Sequence, residues 1–521
     1  MEDEKPKTKE SSVPFLRQCF LTVSVCMNVM GHGCVIGFSA ILIPSLRKPE
    51  SHIKATVAEE SWIASVIGFA LIVGNVIITL ILGTIGRKKT HILSALPLLI
   101  GWFILVIVNS VSGLIFARLL QGVAMGMLGP LCSIIIAEMT DPINRGAFLT
   151  GVSLSLSIGV LVSHTLGTFY TWQQCALMCS FITFTSLVMI LYTKESPSWL
   201  IAKGRYEEAA EVFYYMRGKG TRQEDELDKM MTAQRMITTV NNKDENLPFT
   251  IKVRNYFIYL RQCFKKPEFY KPIIIMVVVY FVFQLAGLNV ISSYAMDIIR
   301  QVVGPEANVR VLMIALDVER LICNILAVYV MRNYNRRIVL FSSGTICVLS
   351  YFGKAMYVYA KQEGYITSDS QVVPIALIAI YMFSLTIGIS TMPFAISGEI
   401  FPLEYRGLAG GLSVLSLSIN FFVAVKCFPV LTEAVGLPMT YIIYGGLVLL
   451  CLVFLFFTLP ETKGKTLQEI EDNLRGVTRS DTKASETLHQ SEAQVEKQTQ
   501  ESSLSLDEEQ LEPLNKETLQ P

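Results

Sequence analysis

Two amide side chains, Gln284 and Asn289, stand five residues apart in an otherwise apolar run over about 273–299. Each amide is both donor and acceptor, so the pair suits a neutral ligand rich in hydroxyls, or equally a neighbouring helix. Five residues leave them about 140° apart on a regular helix. A local break near Gly287 would let both reach one cavity. Tyr294 and Phe394 offer aromatic surface to line or gate such a cavity, or simply to pack. Asn420, in L-S-I-N-F-F, and Ser153 are further polar candidates inside apolar runs.

Ionisable residues inside apolar runs form a second group. Asp317, Glu319 and Arg320 lie together in the run over about 311–331. Charge in such a place is costly and marks function by default. Asp317 and Arg320 are spaced to pair on one helix face. Arg320 stands twelve residues before Arg332, or roughly 18 Å of helix, which puts it near mid-membrane. It is read either as half of a neutralised structural pair or as a side chain aimed at a cavity, holding a ligand or an anionic group. Lys354 and Lys426 are expected to reach toward an interface. His32, in a Gly-rich stretch, is expected to be a hydrogen-bonded packing residue.

A third group sits in short polar loops and occurs twice. Arg87 is answered by Arg336 at an offset of 249 residues. Glu138 and Arg145 are answered by Glu399 and Arg406 at 261, and Glu195 by Glu461 at 266. Four marks in one order at nearly one offset imply that one half of the chain repeats the other.

The elements that must position these residues are membrane spans. Of 521 residues, 52% are hydrophobic and 17% charged, against roughly 45–50% and about 25% in a globular domain; mean hydropathy is +0.47. Apolar runs fall at about 20–46, 61–85, 90–109, 114–137, 147–170 and 174–193. Six more fall at about 273–299, 311–331, 338–360, 372–397, 407–432 and 438–459. Each is long enough to cross a bilayer. The expected organisation is an N-terminal segment 1–19, a six-helix bundle 20–193, a helical linker 194–272, a second six-helix bundle 273–459 and a largely disordered tail 460–521. The tail composition, acidic and rich in Ser, Thr and Gln, is that of a disordered segment. Basic loops place both termini and the linker on the cytoplasmic side.

Several classes are excluded. A net charge of +1 leaves no nucleic-acid footprint. There is no phosphate-binding loop, no H-E-x-x-H and no Cys/His cluster at metal spacing, so no enzyme chemistry, cofactor or metal is expected. The partners expected are a small solute and the lipid bilayer, with the chain a monomer.

The motifs resemble those of the sugar porter family of the major facilitator superfamily over roughly residues 15–475. They are Arg118-x-x-x-Gly122-x-x-x-Gly126, Glu138 with Arg145-Gly146, Glu195-Ser196-Pro197-Ser198-Trp199-Leu200, Gln284 with Gly287 and Asn289, Pro393-Phe394, Glu399 with Arg406-Gly407, and Pro460-Glu461-Thr462-Lys463-Gly464. Ser198 and the stretch Lys426-Cys427-Phe428-Pro429 look most like the facilitated trehalose transporter-like proteins of insects. The resemblance implies an all-α membrane protein of major facilitator fold, with twelve transmembrane helices in two six-helix bundles. It implies facilitated movement of a sugar, trehalose or a hexose, across the plasma membrane by alternating access. Another organic solute, such as an organic anion, or a solute sensor that moves nothing, are the alternatives.

On that resemblance Gln284, Asn289, Tyr294, Phe394, Asn420, Ser153 and Arg320 contact the solute. Arg87, Glu138, Arg145, Arg336, Glu399 and Arg406 form a charge network that holds the two halves together in one state and parts in the other. The sequence also departs from the family. Gly83 and Arg332 replace loop acids, Ser153 and Phe283 replace amides, and Ser293 replaces a tyrosine. The first run, Gly31-His32-Gly33-Cys34-Val35-Ile36-Gly37, lacks the acid usual in proton symporters of the family.

Overall fold

The computed structural model describes residues 13–241, 254, 258, 260–304, 306–366, 370–402, 406–463, 465 and 467–475. The tail expected to be disordered lies outside the described residues beyond Arg475. Among the described residues, ten helices are long and apolar enough to cross a bilayer. The first six spans are Val13–Leu46, Val57–Ile85, Arg87–Ile107, Val111–Met139, Pro142–Phe169 and Trp172–Leu191. The seventh is made of two pieces, Pro267–Leu285 and Leu288–Val303. The eighth is Val309–Asn333, whose charges keep it out of the ten, and the ninth is Arg336–Gln362. The tenth runs through Val372–Ser384, a π-helical turn at Leu385–Ile389, and Met392–Ile400. The eleventh and twelfth share the helix Arg406–Thr458, which breaks at Gly436, where φ is 81°. Twelve spans result.

Local sequence explains where the helices start. Thr56 with Glu59, and Thr171 with Gln174, form reciprocal capping boxes at the second and sixth spans. Pro142 and Pro267 occupy first-turn positions, where a missing N–H costs nothing. Within the first bundle, backbones touch. A Cβ on Gly33 would fall 2.9 Å from the Gly159 Cα, and one on Gly74 would fall 2.9 Å from the Gly126 Cα. Small residues at these crossings let the first span lie on the fifth and the second on the fourth.

The linker contributes helices Pro197–Ala202, Tyr206–Arg217 and Thr221–Asn241. They pack on the ends of the first and fourth spans. Gln18 donates to the Met216 carbonyl at 3.0 Å, and Arg217 donates to the Glu138 carbonyl at 3.3 Å. A last helix, Leu467–Arg475, covers the start of the seventh span, where Lys271 donates to the Leu474 carbonyl at 2.7 Å. Both ends of the described chain therefore lie on the linker side; the opposite side is the far side.

Candidate functional site between two bundles

The seventh span is broken where its polar residues stand. Gly287 takes φ 91°, a left-handed conformation that glycine adopts without strain. The break brings Asn289 Nδ2 to 2.8 Å from Gln284 Oε1. Helix interruption frees the carbonyls of Leu285 and Ala286. Tyr351 lies 3.0 Å from both, and Tyr381 donates to Ala286 at 2.6 Å. Tyr294 is buried, stacked on Phe428, and donates to the Val425 carbonyl at 3.3 Å. Asn420 donates to Ser416 at 3.2 Å. Phe394 is 63% exposed and meets Phe283 edge to face at 6.3 Å, and Ser153 is also exposed.

Lys354 corrects its expectation. It reaches no interface. Its side chain is 2% exposed, and its ammonium lies 3.2 Å from the centroid of the Tyr381 ring and 4.6 Å from those of Tyr351 and Tyr441. Ring faces replace water around the cation, directly behind the broken helix. His32 is buried as a packing residue should be, but its Nε2 has no hydrogen-bond partner among the described residues. Lys426 does reach the far-side rim, over the Trp62 ring at 4.2 Å.

Asp317 and Arg320 share a helix face without pairing to each other. Asp317 Oδ2 lies 2.5 Å from His164 Nδ1 on the fifth span, while Arg320 donates to the Ser292 hydroxyl at 3.0 Å. Arg320 is 4% exposed.

At the linker side the two repeated charge groups fold identically. Arg87 pairs with Glu138 at 2.7 Å, and Arg336 with Glu399 at 2.9 Å. Ser196 donates to Glu138 as Thr462 does to Glu399. Glu195 accepts from the Arg87 and Lys88 amides, and Glu461 from those of Arg336 and Arg337. Burial would push the Glu461 carboxyl up, but backbone N–H groups of Lys463, Arg337, Arg336 and Thr462 outweigh it and hold it below its ordinary value. Arg145 stands nearby with its Nε unbonded among the described residues. Arg406 opens its helix, and its side chain lies outside the described residues. Each group stays within its own bundle.

The contacts between bundles lie elsewhere. On the far side Arg47 of the first span bridges Glu60 and Asp297, at 2.5 and 3.0 Å, and Arg310 donates to the Thr168 carbonyl at 3.1 Å. At mid-depth Asn75 donates to Ser418 at 3.0 Å, and Asn324 to Ser157 at 2.8 Å. These last two bonds are counterparts in the repeat: Asn324 follows Asn75 by 249 residues and Ser418 follows Ser157 by 261. The sequence reading missed them. Their signal was present, since Leu154-Ser155-Leu156-Ser157-Ile158 recurs as Leu415-Ser416-Leu417-Ser418-Ile419. The described inter-bundle bonds thus close the far side and mid-depth, while Gly129, Gly146, Gly410 and Gly411 face open space.

Two repeated six-helix bundles with a broken, polar helix at mid-depth between them define a secondary transporter. The chain belongs to the Sugar (and other) transporter family, whose description matches residues 16–474. It is an all-α membrane protein of the major facilitator, sugar porter type, and not an enzyme. It is 25% identical over 464 residues to the facilitated trehalose transporter Tret1 of Polypedilum vanderplanki, covering 88% of each chain. Tret1 of Bombyx mori is also 25% identical, over 91% of this chain and 90% of the relative. Among solved structures, the inward open conformation of the xylose transporter XylE from E. coli aligns with a TM-score of 0.67 at 17% identity. That alignment covers 87% of this chain and 99% of XylE. A peptide transporter POT aligns at 0.59 with 13% identity, covering 84% of this chain and 93% of POT.

Proposed function

We propose that the chain moves a neutral sugar, trehalose or a hexose, through a membrane by alternating access, as a facilitative uniporter. The observation that carries this reading is the break at Gly287. Gln284 and Asn289 bond each other there, leaving the Gln284 amide donors and the Asn289 carbonyl oxygen for a hydroxylated solute. Tyr294, Phe394, Asn420 and Ser153 supply aromatic and polar surface around it, and buried Arg320 acts through Ser292. The sugar-carrying relatives favour the same class of cargo.

Uniport is favoured by Arg118. This fully buried guanidinium is held from the first span by the Val35 carbonyl at 2.9 Å and by the Ser39 hydroxyl, not by a carboxylate. The linker side is assigned to the cytoplasm and the membrane to the cell surface, with the chain a monomer. Arg87, Glu138 and Arg145, with Arg336, Glu399 and Arg406, form the cytoplasmic gate.

Counterflow in proteoliposomes with trehalose, glucose and a panel of organic anions tests the reading. Sugar exchange unaffected by a protonophore is expected, and Gln284→Ala should lower it about tenfold, the loss of roughly one buried hydrogen bond to solute. Exchange of anions alone would change the cargo, and exchange of nothing would favour a sensor.

A further inference from the structure

His164 is the buried imidazole that joins the two bundles. It lies near the far-side end of the fifth span and is 1% exposed. Its two ring nitrogens face two different oxygens of the other bundle. Nδ1 lies 2.5 Å from Asp317 Oδ2, and Nε2 lies 3.3 Å from the Ser292 carbonyl. A carbonyl oxygen can only accept, and an ionised carboxylate can only accept. Satisfying both contacts requires either an imidazolium beside a carboxylate, or a neutral ring, protonated at Nε2, beside a protonated acid. These two forms carry the same number of protons. A neutral ring beside a carboxylate has one fewer, and it sets a bare Nε2 lone pair against the Ser292 carbonyl. The closed geometry therefore selects the extra proton.

The surroundings add no competing base. The first span approaches with Gly37, where a Cβ would fall 3.1 Å from His164 Nε2. The sixth span brings the Cys175 thiol to the Ser163 carbonyl, and the tenth brings Met382. From the eighth span come Asp317 and, through the Ser292 hydroxyl, Arg320; Glu319 lies on the same helix and is half-buried. Arg310 caps the Thr168 carbonyl one turn further out. The pocket at this junction offers about 10 Å³, the lower limit for one water.

We propose that His164 and Asp317 form a proton-binding latch between the bundles, which takes up one proton when the far side closes and gives it back to the far side when it opens. This deepens the alternating-access reading above and rests on it. Opening the far side separates the fifth span from the eighth and returns both side chains to far-side water. In far-side water neither ring nitrogen faces a fixed acceptor, so the open state no longer holds the extra proton that the two contacts of the closed state require. Acid favours far-side closure and alkali favours opening. Because the proton enters and leaves by the same side, it sets the rate of the cycle without driving accumulation. That keeps the latch compatible with uniport.

The experiment uses the full chain in nanodiscs without solute, so it does not depend on the identity of the cargo. Spin labels on unnatural amino acids at Asn109 and Glu363, exposed at the far-side ends of the third and ninth spans, report the opening by pulsed distance measurement. The open-to-closed ratio should rise from pH 5.5 to pH 8, by about tenfold per unit at its steepest, the slope for one linked proton. His164→Gln and Asp317→Asn should each flatten that slope. Asp297→Asn, which removes the rim pair to Arg47, should shift the ratio at every pH and leave the slope. A wild-type ratio independent of pH, a slope that survives both latch variants, or a slope lost with Asp297→Asn would each overturn the latch. Sugar-dependent proton entry into proteoliposomes would overturn its one-sided exchange. Absence of sugar flux with the pH slope intact would instead remove the transport reading and leave the latch.

Discussion

The seam between the second and eleventh spans and the seam between the fifth and eighth are counterparts in the repeat, yet they are built from opposite chemistry. Asp317 follows Gly68 by 249 residues, and Val425 follows His164 by 261. Where one seam joins an imidazole to a carboxylate, the other presses Gly68 onto the eleventh span. A Cβ there would fall 2.6 Å from the Phe421 ring and from the Phe422 amide nitrogen. Two helical turns toward the linker the seams agree again, in the paired Asn–Ser bonds. The repeat conserves the pivot at mid-depth and lets the outer seam diverge. At the level of His164 one seam is an apolar contact and the other a titratable one, so of these two contacts the second is the one that can respond to pH.

The sharpest way to break this contrast is to remove the titratable partner altogether. Asp317→Ala leaves a buried imidazole with an unmet contact. Losing one member of a buried pair costs about 3–5 kcal/mol, so far-side closure should weaken a hundredfold or more in the spin-label distance distribution. A change under threefold would place the closing energy elsewhere on the seam.

Overpacking the apolar seam comes next in size. Gly68→Val forces a branched side chain against Phe421 and Phe422, at a cost of about 1–3 kcal/mol. Far-side closure should weaken with no change in its pH slope. A steeper or flatter slope would mean that the two seams are coupled and not independent. Glu399→Gln, far away on the linker side, removes a partly exposed pair worth about 0–1 kcal/mol, and should move the same ratio by less than about fivefold.

The legibility of these regions follows their chemistry. The spans were readable because bilayer thickness imposes a run of about 20 apolar residues. The linker-side groups were readable because charged residues stand out in short loops. Glu138, Glu195 and their partners kept both spacing and bonding in the fold. The break at Gly287 was readable from the angular mismatch of Gln284 and Asn289. His164 was not. A single histidine in an apolar run has no partner in its own sequence neighbourhood, and Asp317 lies 153 residues away. Arg320 had an obvious local partner in Asp317, and local spacing favoured that pair. The fold gave each a better partner on another helix. Lys354 misled for a related reason: of its three tyrosines only Tyr351 is near it in sequence, while Tyr381 and Tyr441 come from two other spans.

The smallest effect tests the pivot itself. Asn75→Ala and Asn324→Ala each delete one inter-helix hydrogen bond in a membrane interior, where such bonds contribute on average about 0.6 kcal/mol and at most about 1.7. The Ser418 hydroxyl keeps its own acceptor, since it already donates to the Val414 carbonyl at 3.3 Å, which softens the loss there. If the bonds are a symmetric pivot, each variant should lower the stability of the purified protein slightly and by the same amount, in reversible unfolding. Neither should change the open-to-closed ratio by more than about threefold, because a pivot at mid-depth keeps its bonds in both states. A shift of tenfold with Asn324→Ala and none with Asn75→Ala would extend the asymmetry of the outer seam inward. The divergence between the halves would then begin at mid-membrane rather than two turns above it.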